Sequence, residues 1–115
     1  MCRLGSGIRT RVDTVFASGD DKPMILEELE LVLRSRVVDP PPGSYSAMIL
    51  AEPERAARKI MEEAFELCLE LGRPSVDPGR TAAEAADLIF HVLVGLVGAG
   101  VGFDAVLAEL EARRR

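Results

Sequence analysis

With 115 residues the chain has room for one hydrophobic core, and helical domains this small often complete that core with a second copy, so a homodimer is expected. A net charge of −5 argues against nucleic acid or an anionic membrane as the main partner, and a polyphosphate would need a cation to bridge it to so acidic a protein. Hydrophobic residues make up 48% of the chain but aromatic residues only 4%, so the core must come from Leu, Val, Ile and Ala, a mixture that favours helices.

Residues 1–20 mix Gly, Ser, Thr and Arg without periodicity and read as a variable extension, leaving one domain over 21–115. Arg3, Arg9 and Arg11 are not followed by an apolar stretch of the kind a secretory signal needs. Cys2 and Cys68 stand in unrelated settings and suggest no disulfide; together these features point to a cytoplasmic protein. Asp21 is placed to cap a first helix, with Pro23 in its first turn and Ile25, Leu29, Val32 and Arg36 recurring on one face. The helix must end before Asp39-Pro-Pro-Pro-Gly43, because proline cannot continue it.

Residues 43–46 read as a loop. A second helix is expected from about Glu52-Pro53 to Leu71, closed by Gly72 and Pro74, with Ala57, Ile60, Ala64, Leu67, Cys68 and Leu71 on a broad apolar face that Phe65 and Leu69 widen. Residues 73–80 form a turn-rich connector. Thr81 opens a third helix to about Val97, whose apolar run falls short of a membrane span, and Gly98, Gly100 and Gly102 mark its exit. A short last helix from about Asp104 to Arg113 turns Val106, Leu107 and Leu110 inward, with basic residues at the end that suits the dipole. The fold class is therefore all-α, a small antiparallel bundle.

The third helix holds the densest chemical information. Between Ala82 and Val97 its only titratable residues are Glu84, Asp87 and His91, which fall within an arc of about 60°. Buried carboxylates are costly without a partner, so so apolar a helix carries them where a cation or a wet cleft receives them. Two roles stay open for Glu84, because Thr81-x-x-Glu84 also spells a capping box. Asp87 could be met by His91 one turn on, and His91 reads as a hydrogen-bonded core residue. On the second helix Glu62, Glu63, Glu66 and Glu70 share a strip about 100° wide with Lys59 among them, and they repel one another unless something positive lies between. Carboxylate oxygens are the hard ligands Mg²⁺ prefers, and such sites share the ion with substrate phosphates, which points to phosphoanhydride hydrolysis.

Glu63-x-x-Glu66, 17 intervening residues and Glu84-x-x-Asp87 resemble the signature of the all-α nucleotide pyrophosphohydrolases, the MazG-like superfamily. The surrounding text is narrower. Arg36, Pro-Pro-Gly-Ser-Tyr-Ser (41–46), Arg-Lys-Ile-Met-Glu-Glu-Ala-Phe-Glu (58–66), Glu-Ala-Ala-Asp-Leu-Ile-Phe-His (84–91) and Val-Leu-Ala-Glu-Leu-Glu-Ala-Arg (106–113) are similar to the phosphoribosyl-ATP pyrophosphatases of histidine biosynthesis. The resemblance implies a helical homodimer that hydrolyses phosphoribosyl-ATP to phosphoribosyl-AMP and pyrophosphate with Mg²⁺, for which Mn²⁺ could substitute. It further implies that Glu63, Glu66, Glu84 and Asp87 hold metal, and that Glu62 and Glu63 are catalytic, Glu62 either serving a second ion or positioning the attacking water. Lys59 and Arg36 become candidates for phosphate contact, and Gly43, Ser44 and Tyr45 for substrate recognition. Met61 stands where the family often has glycine and could reshape the site. The near alternative is a house-cleaning nucleoside triphosphate pyrophosphohydrolase with the same metal site; the remote one is a non-catalytic helical dimerisation module, whose acids would all be paired with bases.

Overall fold

The computed structural model describes residues 25–114, and these are helical throughout apart from their connections: α1 (Ile25–Val38), α2 (Tyr45–Leu50), α3 (Pro53–Leu71), α4 (Pro78–Gly98) and α5 (Phe103–Ala112). The extension over 1–20 and the start of the first helix at Asp21 and Pro23 lie outside the described residues. In α1, Glu27 and Glu28 occupy the first turn and Arg36 the last, the arrangement that favours the helix dipole. Its buried face runs through Glu30, Leu33 and Arg36, displaced slightly from the expected Ile25–Leu29–Val32–Arg36 line, and Ile25 is exposed. Glycine is required at Gly43, where φ is +75° and a side chain would be strained.

The segment expected to continue as loop after Gly43 instead forms α2. Ser44 caps it, its hydroxyl accepting from the Ala47 N–H, and Ser46 and Ile49 are buried. Six residues are too few for a period of 3.6 to declare itself, so the cap was the one local signal. A second boundary also moves. Asp77 accepts from the N–H groups of Gly79 and Arg80 and Pro78 takes the first helical position, so α4 starts before Thr81. The Thr81–Glu84 capping box therefore does not form: Glu84 lies well inside the helix, where it has no cap to serve.

Helices α3 and α4 share the largest contact in the molecule and run antiparallel, since Glu70 meets Arg80 at one end while Ile60 meets Gly95 at the other. A Cβ at Gly95 would stand 3.2 Å from Ile60 Cδ1, so glycine allows the close approach. The core joins Leu33, Ile49, Ala56, Phe90, Leu93 and Val94, with Leu29, Tyr45, Leu50, Val97 and Phe103 packed around it. Helix α4 is long and apolar enough to cross a membrane by length and composition. Its polar line, however, is packed within the protein, with Glu84, Asp87 and His91 all buried.

Two expected faces come out differently. On α3 the chain buries Ala56, Glu63 and Glu70 and leaves Ala57, Met61, Phe65, Cys68, Leu69 and Leu71 exposed, so Glu63 and Glu70 of the acidic strip face inward and much of the apolar face faces outward. On α5 Val106 is half-buried but Leu107 and Leu110 are exposed, because no other element among the described residues covers them. Helix α5 is anchored at its start instead: the Glu30 carboxylate accepts from the Phe103 N–H at 3.0 Å and from Arg34 at 3.0 Å. The expected basic last turn is absent, Arg113 lying just past the helix and paired with Glu109.

Candidate active site

Glu63 from α3 and Glu84 and Asp87 from α4 converge, one carboxylate oxygen of each lying within 4.8 Å of the others. They are 0%, 6% and 5% exposed. The antiparallel pairing produces this by placing the middle of α3 against the first half of α4. Among the described residues neither oxygen of Glu63 accepts a hydrogen bond, and the Lys59 ammonium stands 4.0 Å from Oε2. A buried carboxylate left in this state costs several kcal/mol by roughly the usual reckoning, so the position calls for a cation. Mg²⁺ takes hard oxygen ligands at about 2.0–2.1 Å, so ligands on opposite sides of it are about 4 Å apart. The three carboxylates fit that demand with a small side-chain adjustment.

Glu66 adjoins the cluster half-buried, with Oε1 shielded and making no hydrogen bond. Burial raises its carboxyl above the ordinary value, and the negative charges of Glu63 and Glu84 and a hydrogen bond to Glu84 push the same way. Glu62, the remaining expected catalytic acid, lies on the exposed side of α3, 3.2 Å from Lys59. Lys59 is thus tied to the glutamates in the way a relieving charge would be. Met61 is 71% exposed and, two residues before Glu63, faces away from the acids, so it does not reshape the cluster.

The expected substrate contacts form a separate group. The Arg36 guanidinium is in the interior at 6% exposure and donates to Ser46 Oγ at 2.8 Å, tying the end of α1 to α2. Ser46 in turn lies 3.2 Å from Ser44 Oγ. Gly43, Ser44 and Tyr45 line a shallow cavity of about 560 Å³ with Pro40, Pro41, Ala47 and Met48. The Tyr45 hydroxyl meets His91 Nε2 at 2.9 Å, and His91 Nδ1 meets the backbone carbonyl of Asp87, not its carboxylate, at 2.8 Å. His91 is the hydrogen-bonded core residue its position suggested.

Sequence reasoning placed Glu70 with the other acids but missed what holds it. Arg73 Nε donates to Glu70 at 2.9 Å and Arg80 at 3.2 Å, and these guanidiniums hold its carboxyl below the ordinary range. Arg73 sits in the connector and Arg80 in the first turn of α4, and where either would lie in space could not be read locally. The Arg36–Ser46 bond was equally hidden, since the helix that buries Ser46 was unforeseen.

Comparison with known proteins follows the same residues. A sequence model of the family described as phosphoribosyl-ATP pyrophosphohydrolase matches residues 26–114. The chain is 41% identical over 91 residues to a phosphoribosyl-ATP pyrophosphatase of Methylobacterium nodulans, covering 76% of this chain and 81% of that protein. It is 40% identical over 94 residues to one from Methanoculleus marisnigri, covering 79% and 95%, and 38% identical over 89 residues to one from Caulobacter vibrioides, covering 77% and 81%. No solved structure matches significantly. A match over most of the chain, spanning all five helices and every acid of the cluster, means that this chain belongs to the phosphoribosyl-ATP pyrophosphohydrolase family.

Proposed function

We propose that the chain hydrolyses phosphoribosyl-ATP to phosphoribosyl-AMP and pyrophosphate in histidine biosynthesis, with Mg²⁺ held by Glu63, Glu84 and Asp87 and with Glu66 beside them. The observation that carries the reading is the fully buried Glu63 carboxylate, which accepts no hydrogen bond from the described residues and faces two further acids. Bound there, Mg²⁺ would neutralise phosphate charge and acidify a water. The protein's own part is positioning: α3 and α4 present acids at a set spacing, and burial excludes competing water from them. Half-exposed Glu62, next in sequence to Glu63, is placed at the solvent side where an attacking water arrives, and Lys59 offers its ammonium to the phosphate chain at the edge of the cluster. Support for a homodimer comes from α3, where Met61, Phe65 and Leu69 form an exposed apolar line at i, i+4 and i+8.

The test is Mg²⁺-dependent release of pyrophosphate from phosphoribosyl-ATP, measured against a panel of nucleoside triphosphates. Glu63→Gln and Asp87→Asn should each lower kcat/KM by about a hundredfold or more while the variants remain folded. Equal turnover of ordinary triphosphates would move the reading to a house-cleaning pyrophosphohydrolase, and no release from any substrate would overturn it.

A further inference from the structure

His91 is the chain's single histidine and Tyr45 its single tyrosine, and the two are bonded to each other. His91 is fully buried and engages both ring nitrogens. A carbonyl oxygen can only accept, so the Nδ1 facing Asp87 O carries the hydrogen. In the neutral ring Nε2 is then an acceptor, and the Tyr45 hydroxyl donates to it. The rings meet nearly perpendicular, at 86° with centroids 5.9 Å apart, while Phe90 packs edge-on against the same imidazole. The Tyr45 hydroxyl is therefore directed into the protein, toward the helix that carries two of the acids.

Position gives this bond its meaning. Tyr45 is the first residue of α2 and part of the wall of the proline-lined cavity, whereas His91 is one turn beyond Asp87 on α4. The bond thus spans from the cavity wall to the acid-bearing helix. On its other side the same wall is tied to α1 through Ser44, Ser46 and Arg36. Prolines with restricted backbone and a half-buried two-ring link limit how far this loop can move relative to the acids.

We propose that Tyr45 and His91 form a strut that holds the cavity over residues 40–48 at a set distance from Glu63, Glu84 and Asp87, so that a nucleotide whose organic part occupies the cavity presents its phosphate chain to the acids. This rests on the pyrophosphohydrolase reading above. It makes both residues positioning residues and removes the Tyr45 hydroxyl from the set of direct substrate contacts. A link of this kind acts on substrate binding and leaves the acids themselves in place.

The test uses the full chain with Mg²⁺ and phosphoribosyl-ATP. Tyr45→Phe, which removes one hydroxyl, should raise KM by about five- to tenfold while kcat changes by less than about threefold. Affinity for Mn²⁺, titrated without nucleotide, should stay within about twofold of wild type, because no acid has moved. His91→Gln, whose amide oxygen can occupy the place of Nε2, should retain a lower KM than His91→Leu. Long-range ¹H–¹⁵N NMR reads the geometry directly and needs no assignment, since there is one histidine: wild type should show the Nδ1–H tautomer. An active wild type whose KM is unmoved by Tyr45→Phe overturns the strut, whatever happens to the melting temperature, and so does an Nε2–H tautomer. A wild type that releases no pyrophosphate overturns the underlying reading instead.

Discussion

Glu63 and Glu70 are two turns apart on α3 and both buried, yet they meet opposite surroundings. Glu70 is gripped by Arg73 and Arg80, whose positive charge lowers its carboxyl below the ordinary carboxylate range. A carboxyl depressed in the folded state stabilises the protein above its unfolded value and ceases to do so as pH falls through the folded value. Thermal melts from about pH 6 to about pH 3 should therefore show wild type losing stability on acidification, with Glu70→Gln less stable at the upper end and declining less steeply. A parallel decline in the two proteins would mean that the arginines contribute nothing to folding. Glu63 has no such guanidinium partner among the described residues, and this contrast separates a structural acid from the one proposed to hold metal. Both residues share one strip in the sequence; only the placement of Arg73 and Arg80 tells them apart.

At the scale of elements, α4 decides the site because its register against α3 sets which acids meet. The helix begins where Asp77 binds the N–H groups of Gly79 and Arg80. Asp77→Ala should cost about 1 kcal/mol, read as a lower denaturant midpoint with unchanged slope, while pyrophosphate release is retained. A loss as large as that of a core residue would mean that Asp77 does more than cap. The extent of α3 and the exit glycines of α4 were legible in sequence, since Pro53, Gly72 and Gly98 punctuate long periodic segments. The α4 start was not, because Asp77-Pro78 and Thr81-x-x-Glu84 are both valid start signals and packing against α3 selects between them. Helix α2 escaped notice for want of length, although it carries Tyr45 and buries Ser46.

Taken as a whole molecule, the described residues leave an apolar line outward along α3, with Phe65 64% and Met61 71% exposed, and uncovered leucines on α5. A second copy seated on α3 would bury the Met61–Phe65–Leu69 line, and a stable interface of this kind removes about 1,200–2,000 Å² from water. Light scattering behind size exclusion should give about twice the 12.4 kDa chain mass. Phe65→Glu, which places a charge on that line, should shift the mass toward monomer and lower the melting temperature. A monomeric wild type would leave the apolar line to some other partner.

Composition and periodicity by themselves determined that the chain is helical, and the spacing of Glu63, Glu66, Glu84 and Asp87 determined that it carries a set of acids suited to a divalent ion. These are local properties: helix pitch converts residue spacing into a face without reference to the rest of the chain. Tertiary structure decided which acids converge, which one the arginines claim, and that Arg36 and Tyr45 turn inward to Ser46 and His91. Those outcomes depend on how α3, α4 and the proline-rich loop stack in space, and a hydrogen bond between residues 46 positions apart leaves no period in the sequence.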